Sequence, residues 1–289
     1  MKTLIYYHGA DLDGLCSGAI LYQYARFKEG IEPSDIELVP SSYGMTIPWN
    51  DITGNRVFMA DFSFQPWSEM AELYVRAADL TWIDHHKSAI ELCEKAGVHI
   101  KGIQDTRAAA CELAWEFCNP DQYVPKGVRL LSRYDTWDLD EEVLDFQFGM
   151  QGRWMEPDHM GWSAFLGQHY AGILEIIKEG QSIRKFVERE YKRTMRARGF
   201  ETDFKGYRTL ACNQHAATGS LLFKSHWDPT RHDIMMSFHL RRDGRWSFSI
   251  YTEKLDIDCS KIAAQFGGGG HQAAAGFQYD GNLRDIIMY

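Results

Sequence analysis

Three short apolar runs in this chain each stop at an acid or a histidine. LIYYH ends at His8 with ADLDG behind it, RVFMAD ends at Asp61, and LTWID ends at Asp84, followed by His85 and His86. Unbroken apolar runs of this length suit strands buried on both faces, as in a parallel sheet. Between them the spacing is helical. Leu15, Ala19, Tyr22 and Phe27 recur on one face of LCSGAILYQYARF, and PWSEMAELYVRAA opens on a proline and repeats Met70, Leu73 and Ala77. Strand, helix and strand in succession predict right-handed βαβ units and an α/β layer. Ligands of such sheets gather outside the carboxyl ends of the strands, where His8, Asp61 and the Asp84-His85-His86 triplet would stand. A single Asp-His-His is a short pattern that a polar loop explains equally well; three strand ends of one kind point to a functional site.

The side chains at these ends form one chemical set. His8, Asp11, Asp13, Asp61, His85 and, in SRYDTWD, Asp135 offer imidazole nitrogens and carboxylate oxygens but no thiolate. That set suits Mn²⁺ or Mg²⁺, with Zn²⁺, Fe²⁺ or Co²⁺ also able to bind. Six such donors exceed what one ion with an open position takes and match two. Ions paired about 3.5–4 Å apart serve phosphoryl transfer. Successive side chains diverge on an extended backbone, so one of His85 and His86 is expected on metal and the other toward substrate.

Composition narrows the class. A chain of 289 residues, 45% hydrophobic and 25% charged, can build two modest domains of an ordinary globular protein. A net charge of −9 argues against long duplex DNA as a partner, although bound cations reverse the local field for a short phosphorylated substrate. No run approaches a membrane span, and the apolar part of MKTLIYYHGAD is too short for a secretory leader. Six cysteines without a CxxC pair read as reduced thiols. A cytoplasmic location is the expectation.

In their order, these motifs resemble the DHH phosphoesterases. That family carries Asp-x-Asp after the first strand (Asp11 and Asp13 in HGADLDG), a lone Asp after a later strand (Asp61 in MADFSF), the Asp-His-His signature (IDHHKS) and a further Asp (Asp135 in RYDTWD). FGGGGHQAAAGF, with His271, resembles the glycine-histidine motif of the family's C-terminal associated domain. The resemblance implies an α/β chain of two lobes. A parallel-sheet catalytic domain with helices on both faces would span 1–165, a helical linker 166–200, and a smaller α/β substrate-binding domain 201–289. It implies two divalent ions, Mn²⁺ before Mg²⁺ or Co²⁺: one held by His8, Asp11 and Asp61, the other by Asp13, Asp61, His85 and Asp135. His86 would contact the phosphate and Asp84 would orient the histidines. His8 lies one residue closer to Asp11 than in many members, which makes a merely neighbouring polar residue the alternative for it.

The second half supports a separate lobe. Residues 171–199 have helical spacing and a single interior glycine, Gly180; YRTLAC, DIMMSFHL and RWSFSIY read as strands and CSKIAAQF as a short helix. The glycine run suits N–H groups converging on an anion, so Gly268, Gly269, Gly270 and His271 are expected at a phosphate or nucleotide. Many members have an arginine where this chain has Tyr251; a tyrosine there would stack on a base, with Arg241 or Arg242 assisting. The implied reaction is hydrolysis of short oligonucleotides, linear or cyclic dinucleotides, or a nucleoside bisphosphate, as in oligoribonuclease-like members. A small-phosphate phosphatase or pyrophosphatase and a non-catalytic nucleotide sensor are the rivals. A homodimer is compatible with the sequence. Asp105 or Thr106 is expected to cap a helix burying Cys111 and Leu113, with Arg107 a secondary candidate for phosphate. His99, His159, His169, His226 and His232 show no ligand spacing.

Overall fold

The computed structural model describes residues 1–153, 155–167, 170–215 and 219–287; His169 lies outside them. Two compact units divide the chain, Met1–Arg184 and Lys185–Tyr289.

The first unit runs β1 (Thr3–His8), α1 (Leu12–Gln23), β2 (Ile36–Ser41), α2 (Trp49–Ile52), β3 (Arg56–Ala60), α3 (Trp67–Arg76), β4 (Asp79–Asp84), α4 (Lys87–Ala96) and β5 (Lys101–Gln104). Helices α5 (Ala110–Cys118), α6 (Lys126–Asp135), α7 (Glu141–Gln151), α8 (Gly161–Leu166) and α9 (Tyr170–Arg198) follow. The five strands pair in parallel in the order β2-β1-β3-β4-β5. Chain order reverses beside β1, which marks the switch point where doubly wound sheets bind ligands. The three central strands are the apolar runs of the sequence. Edge strands β2 and β5 lack such a run, since each is only partly buried and β2 contains Pro40.

Alternation along the strands feeds two cores. Ile5, Tyr7, Phe58, Ala60 and Ile83 pack with Leu15, Cys16, Ala19 and Cys111 of α1 and α5. Leu4, Tyr6, Val57, Met59 and Trp82 pack with Met70, Leu73, Ala89 and Cys93 of α3 and α4. Helices therefore cover both faces, each fully buried large side chain contributing about 1.5–3 kcal/mol. Phe27 departs from its expected place on the buried face: it is 67% exposed. α1 ends at Gln23 and continues as a π-turn over Tyr24–Lys28, whose greater number of residues per turn rotates Phe27 off the helical stripe.

α9 crosses the boundary between the units. Its interior Gly180 has a packing reason, because a Cβ there would lie 1.7 Å from the Asp145 carbonyl of α7, and one on Gly149 would lie 2.1 Å from the Ile176 carbonyl.

In the second unit, β6 (Gly199–Phe204), β7 (Tyr207–Asn213), β8 (Ile234–Leu240), β9 (Trp246–Tyr251), α10 (Cys259–Ala264), β10 (Gly269–Gly270) and β11 (Ala274–Tyr279) form one sheet and its covering helix. The strand order is β10-β11-β9-β8-β7-β6, antiparallel except for β7 with β8. α10 and the C-terminal residues Ile286 and Ile287 bury one sheet face with Phe204, Phe238, Phe248 and Phe277. Among the described residues, no helix is long and apolar enough to cross a membrane.

Candidate metal centre

Sheet register brings the three strand ends level. Tyr7 pairs with Ala60 and Ala60 with Ile83, so the next residue on each strand, His8, Asp61 and Asp84, emerges at one edge. Asp61 N donates to Ile83 O at 3.0 Å and takes φ +55. Such left-handed backbone is uncommon for a side chain other than Gly, Asn or Asp. Asp11 caps α1 by accepting from Gly14 N at 2.9 Å through Oδ1, while its Oδ2 lies 2.8 Å from His8 Nδ1. Gly14 permits this, since a Cβ there would stand 2.0 Å from His8 O. Asp135 arrives as the last residue of α6.

Asp13 does two things. Its carboxylate accepts from Ala110 N at 2.9 Å and Cys111 N at 2.7 Å. The N-terminus of α5 is thus held by an acid from α1, not by Asp105 or Thr106 as expected; Ala109 occupies the cap position and bonds no amide through its side chain. Asp105 turns instead to Arg107 at 2.8 Å, and Arg107 also pairs with Glu116. Its guanidinium is spent locally rather than extended toward a phosphate. Cys111 and Leu113 are buried as expected.

Asp61 lies between two groups of ligand atoms. Its Oδ2 is 3.6 Å from His8 Nδ1, while its Oδ1 is 3.2 Å from His85 Nε2 and 3.9 Å from His86 Nδ1. His85 Nε2 is also 3.3 Å from Asp135 and 3.8 Å from Asp13. Among the described residues, three sets have ligand atoms within 4.8 Å of one another: His8, Asp11 and Asp61; Asp13, His85 and Asp135; and Asp61, His85 and His86. The two histidine rings do not diverge: their centroids are 4.6 Å apart, because the strand ends at Asp84 and extended-backbone alternation ends with it. What distinguishes them is Asp84. Its Oδ1 accepts from His85 N at 2.7 Å and His86 N at 3.1 Å, and lies 2.7 Å from His86 Nδ1.

The charges of this cluster call for a cation. Burial, then the Asp61 charge, pushes Asp13 up to about 7. Burial and the Asp13 charge do the same to Asp135, also to about 7. Asp61 is raised by burial and by Asp11. Burial opposes charge on His85 and His8, yet the surrounding carboxylates prevail and raise each to about 10. Carboxylates this crowded recruit positive charge, and oxygen and imidazole donors at these spacings fit divalent ions.

One residue at the centre carried no sequence signal. Tyr43, in the loop after β2, has its ring centroid 6.3 Å from that of His8 and 5.1 Å from that of Phe62. Although its ring is half exposed, desolvation by the groups around it and then the charges of Asp84, Asp61 and Asp11 hold its hydroxyl well above the usual value.

The expected substrate residues of the second unit do not converge. Tyr251 is 9% exposed and packs among Met195, Leu210, Cys212 and Met235, so it has no open face for a base. Arg241 pairs with Asp243 at the β8–β9 turn, about 20 Å along β9 from Tyr251 at the usual strand rise. Gly267 N, Gly268 N and His271 N donate to Ala264 O, Ala263 O and Ala274 O; these amides are not available to cradle an anion. The glycines serve close approach instead, since a Cβ on Gly268 would lie 2.2 Å from Gly276 O. The His271 side chain is exposed. A groove of about 570 Å³ beside the run is lined by Arg245, Ser247, Ser249, Gly268, Gly276 and Gln278, among others.

The family model of the DHH family, N-terminal domain, matches residues 2–146. The chain belongs to the DHH family. The match covers every residue of the three ligand sets, and the family's chemistry, metal-dependent hydrolysis of phosphoesters, is this chain's reaction class. The uncharacterized protein R106 of Acanthamoeba polyphaga mimivirus is 24% identical over 311 aligned positions, covering 96% of this chain and 68% of that protein. Among solved structures, the DHH domain of a member of the s1p family of ribosomal proteins superposes with a TM-score of 0.63 at 13% identity, covering 98% and 84% of the two chains. The pGpG-specific phosphodiesterase PggH of Vibrio cholerae gives 0.54 at 15% identity, covering 99% and 95%. An exopolyphosphatase-related protein of Bacteroides fragilis gives 0.52 at 13% identity, covering 98% and 88%. At these identities the structural likeness is one of fold.

Proposed function

We propose that this DHH-family chain is a two-metal phosphodiesterase of short oligonucleotides or dinucleotides. The observation that carries the reading is Asp61, whose two oxygens address two different groups of ligand atoms, as a carboxylate shared between paired ions does. His8, Asp11 and Asp61 would hold one ion, and Asp13, Asp61, His85 and Asp135 the other. The donor chemistry favours Mn²⁺, with Mg²⁺ or Co²⁺ as substitutes. When bound, such ions lower the pKa of water and neutralise phosphoryl charge.

The remaining work falls to the chain. Asp84 orients the His86 ring through Nδ1, and His86 would donate to a phosphoryl oxygen of the substrate. Asp13, tied to the first amides of α5, is preorganised before any ligand arrives. The dinucleotide named for PggH supports a substrate of that length.

The test is an activity panel with Mn²⁺ and with Mg²⁺: linear and cyclic dinucleotides, RNA and DNA oligomers of graded length, a nucleoside bisphosphate, pyrophosphate and polyphosphate. Dinucleotides and the shortest oligomers should be preferred. Asp61→Ala should lose both metal, by elemental analysis, and turnover. Preference for pyrophosphate or polyphosphate would establish the small-phosphate rival. Full activity in Asp61→Ala with unchanged metal content would end the two-metal reading.

A further inference from the structure

Tyr43 is 53% exposed at the lip of the acidic cluster, and its setting is that of a rigid platform rather than a loose surface residue. Met45 N donates to Ser42 O at 3.2 Å, and Gly44 takes φ +86. This is the pattern of a type II turn, which places Tyr43 at the outward second position. A Cβ on Gly44 would meet nothing within 4 Å; glycine is there for its backbone angle, and hence for the aim of Tyr43.

Behind the ring, aromatic contacts lead into the core. Tyr43 packs on buried Phe62 at 5.1 Å, Phe62 meets Phe64 edge-on at 5.8 Å, and Phe64 meets Tyr6 at 5.6 Å and Trp49 at 6.0 Å. Phe62 directly follows Asp61, so platform and central carboxylate are joined by one peptide bond. The ring is thus backed on one side, open on part of its surface, and beside His8.

We propose that Tyr43 is the surface on which a nucleobase of the substrate stacks at the metal centre. The inference rests on the phosphodiesterase reading above and adds a base-binding subsite to it. A nucleotide with its phosphate over the carboxylates carries its base one sugar away, to the side, and every base offers a π-face to an aromatic ring. An inorganic phosphate would gain nothing from such a ring.

The experiment compares wild type, Tyr43→Phe, Tyr43→Leu and Tyr43→Ala on a 5′-phosphorylated linear dinucleotide and on an abasic analogue of equal charge, with Mn²⁺. Tyr43→Phe should keep KM near wild type. Tyr43→Leu, which still covers Phe62, and Tyr43→Ala should raise KM for the dinucleotide roughly ten- to a hundredfold, with kcat and metal content little changed. KM for the abasic analogue should be indifferent to all three substitutions. Unchanged dinucleotide KM in Leu and Ala overturns the subsite while leaving the phosphodiesterase reading intact. A Phe variant as impaired as Ala assigns the effect to the hydroxyl and overturns stacking. Equal losses on both substrates mark a structural role and overturn it as well. Wild-type protein that hydrolyses neither substrate overturns the functional reading itself, and the subsite with it.

Discussion

One oxygen of Asp84 accepts two backbone amides and faces one imidazole nitrogen, so a fully buried carboxylate sets the aim of both histidines. Groups that orient metal-centre ligands in this way matter about as much as weak ligands do, with substitutions costing roughly 10–100-fold in metal affinity or activity. Asp84→Asn should therefore reduce kcat/KM by a factor in that range, and metal titration should show whether affinity or turnover bears the loss; wild-type values for both would remove Asp84 from the centre. The type of residue needed here was readable from IDHHKS. The left-handed backbone of Asp61 was not, because φ +55 is imposed by the chain's exit from β3 toward Phe62. Tyr43 leaves no local pattern for a similar reason: its neighbours, His8 and Phe62, are distant in the chain.

At the scale of elements, Gly180 shows how context reverses a rule. Propensity predicts that alanine in a helix interior gains about 0.8–1 kcal/mol over glycine. In α9, however, the added methyl would overlap the Asp145 carbonyl, and forced overpacking costs about 1–3 kcal/mol or more. The buried Arg184–Asp145 pair at 2.6 Å pins the same crossing. Gly180→Ala should lower the denaturation midpoint; a raised midpoint would mean the helices can separate at no cost. The central strands and the long helix could be read from periodicity because burial on both faces or along one stripe leaves a pattern. β6, β10 and β11 left little: β6 is a largely polar, poorly buried edge strand, β10 is two glycines and β11 opens on alanines and a glycine, so they exist through pairing with neighbours. The π-turn after α1 likewise goes with the packing of Tyr24 against Phe58 and Phe117, not with the residues Tyr24–Lys28 alone.

At the scale of the whole molecule, each unit has its own hydrophobic cores, and each has polar ties of its own. In the second unit Asp233 lies 2.7 Å from Arg208 and 2.6 Å from Lys254. The Arg208 hydrogen bond, opposed by burial and joined by Lys254, holds its carboxyl well below 3.8. A depressed folded-state pKa contributes stability that is present above the unfolded value and lost as pH falls through the folded one. Asp233→Asn should thus weaken amide-exchange protection in β7 and β8 at neutral pH, with the difference from wild type shrinking below about pH 3.8. Added salt should reduce it too, since Arg208 is largely solvent-exposed. A difference independent of pH would assign the effect to packing rather than charge.

Ordered motifs in the sequence alone pointed to the family and the class of chemistry and nominated acids and histidines that the structure gathers into one cluster, because ligand chemistry requires particular side chains at strand ends that periodicity can locate. Tertiary structure decided what those residues do together. It levelled His8, Asp61 and Asp84 by strand register, placed Asp61 between two groups of ligand atoms, and gave Asp13 the amides of α5 across nearly a hundred residues of chain. It also withdrew Tyr251 into a core and brought Tyr43 beside His8 at the acidic cluster. Those outcomes depend on distances between residues remote in the chain, and no local pattern encodes them: an exposed tyrosine and a buried one are the same letter until the sheet and its turns are built.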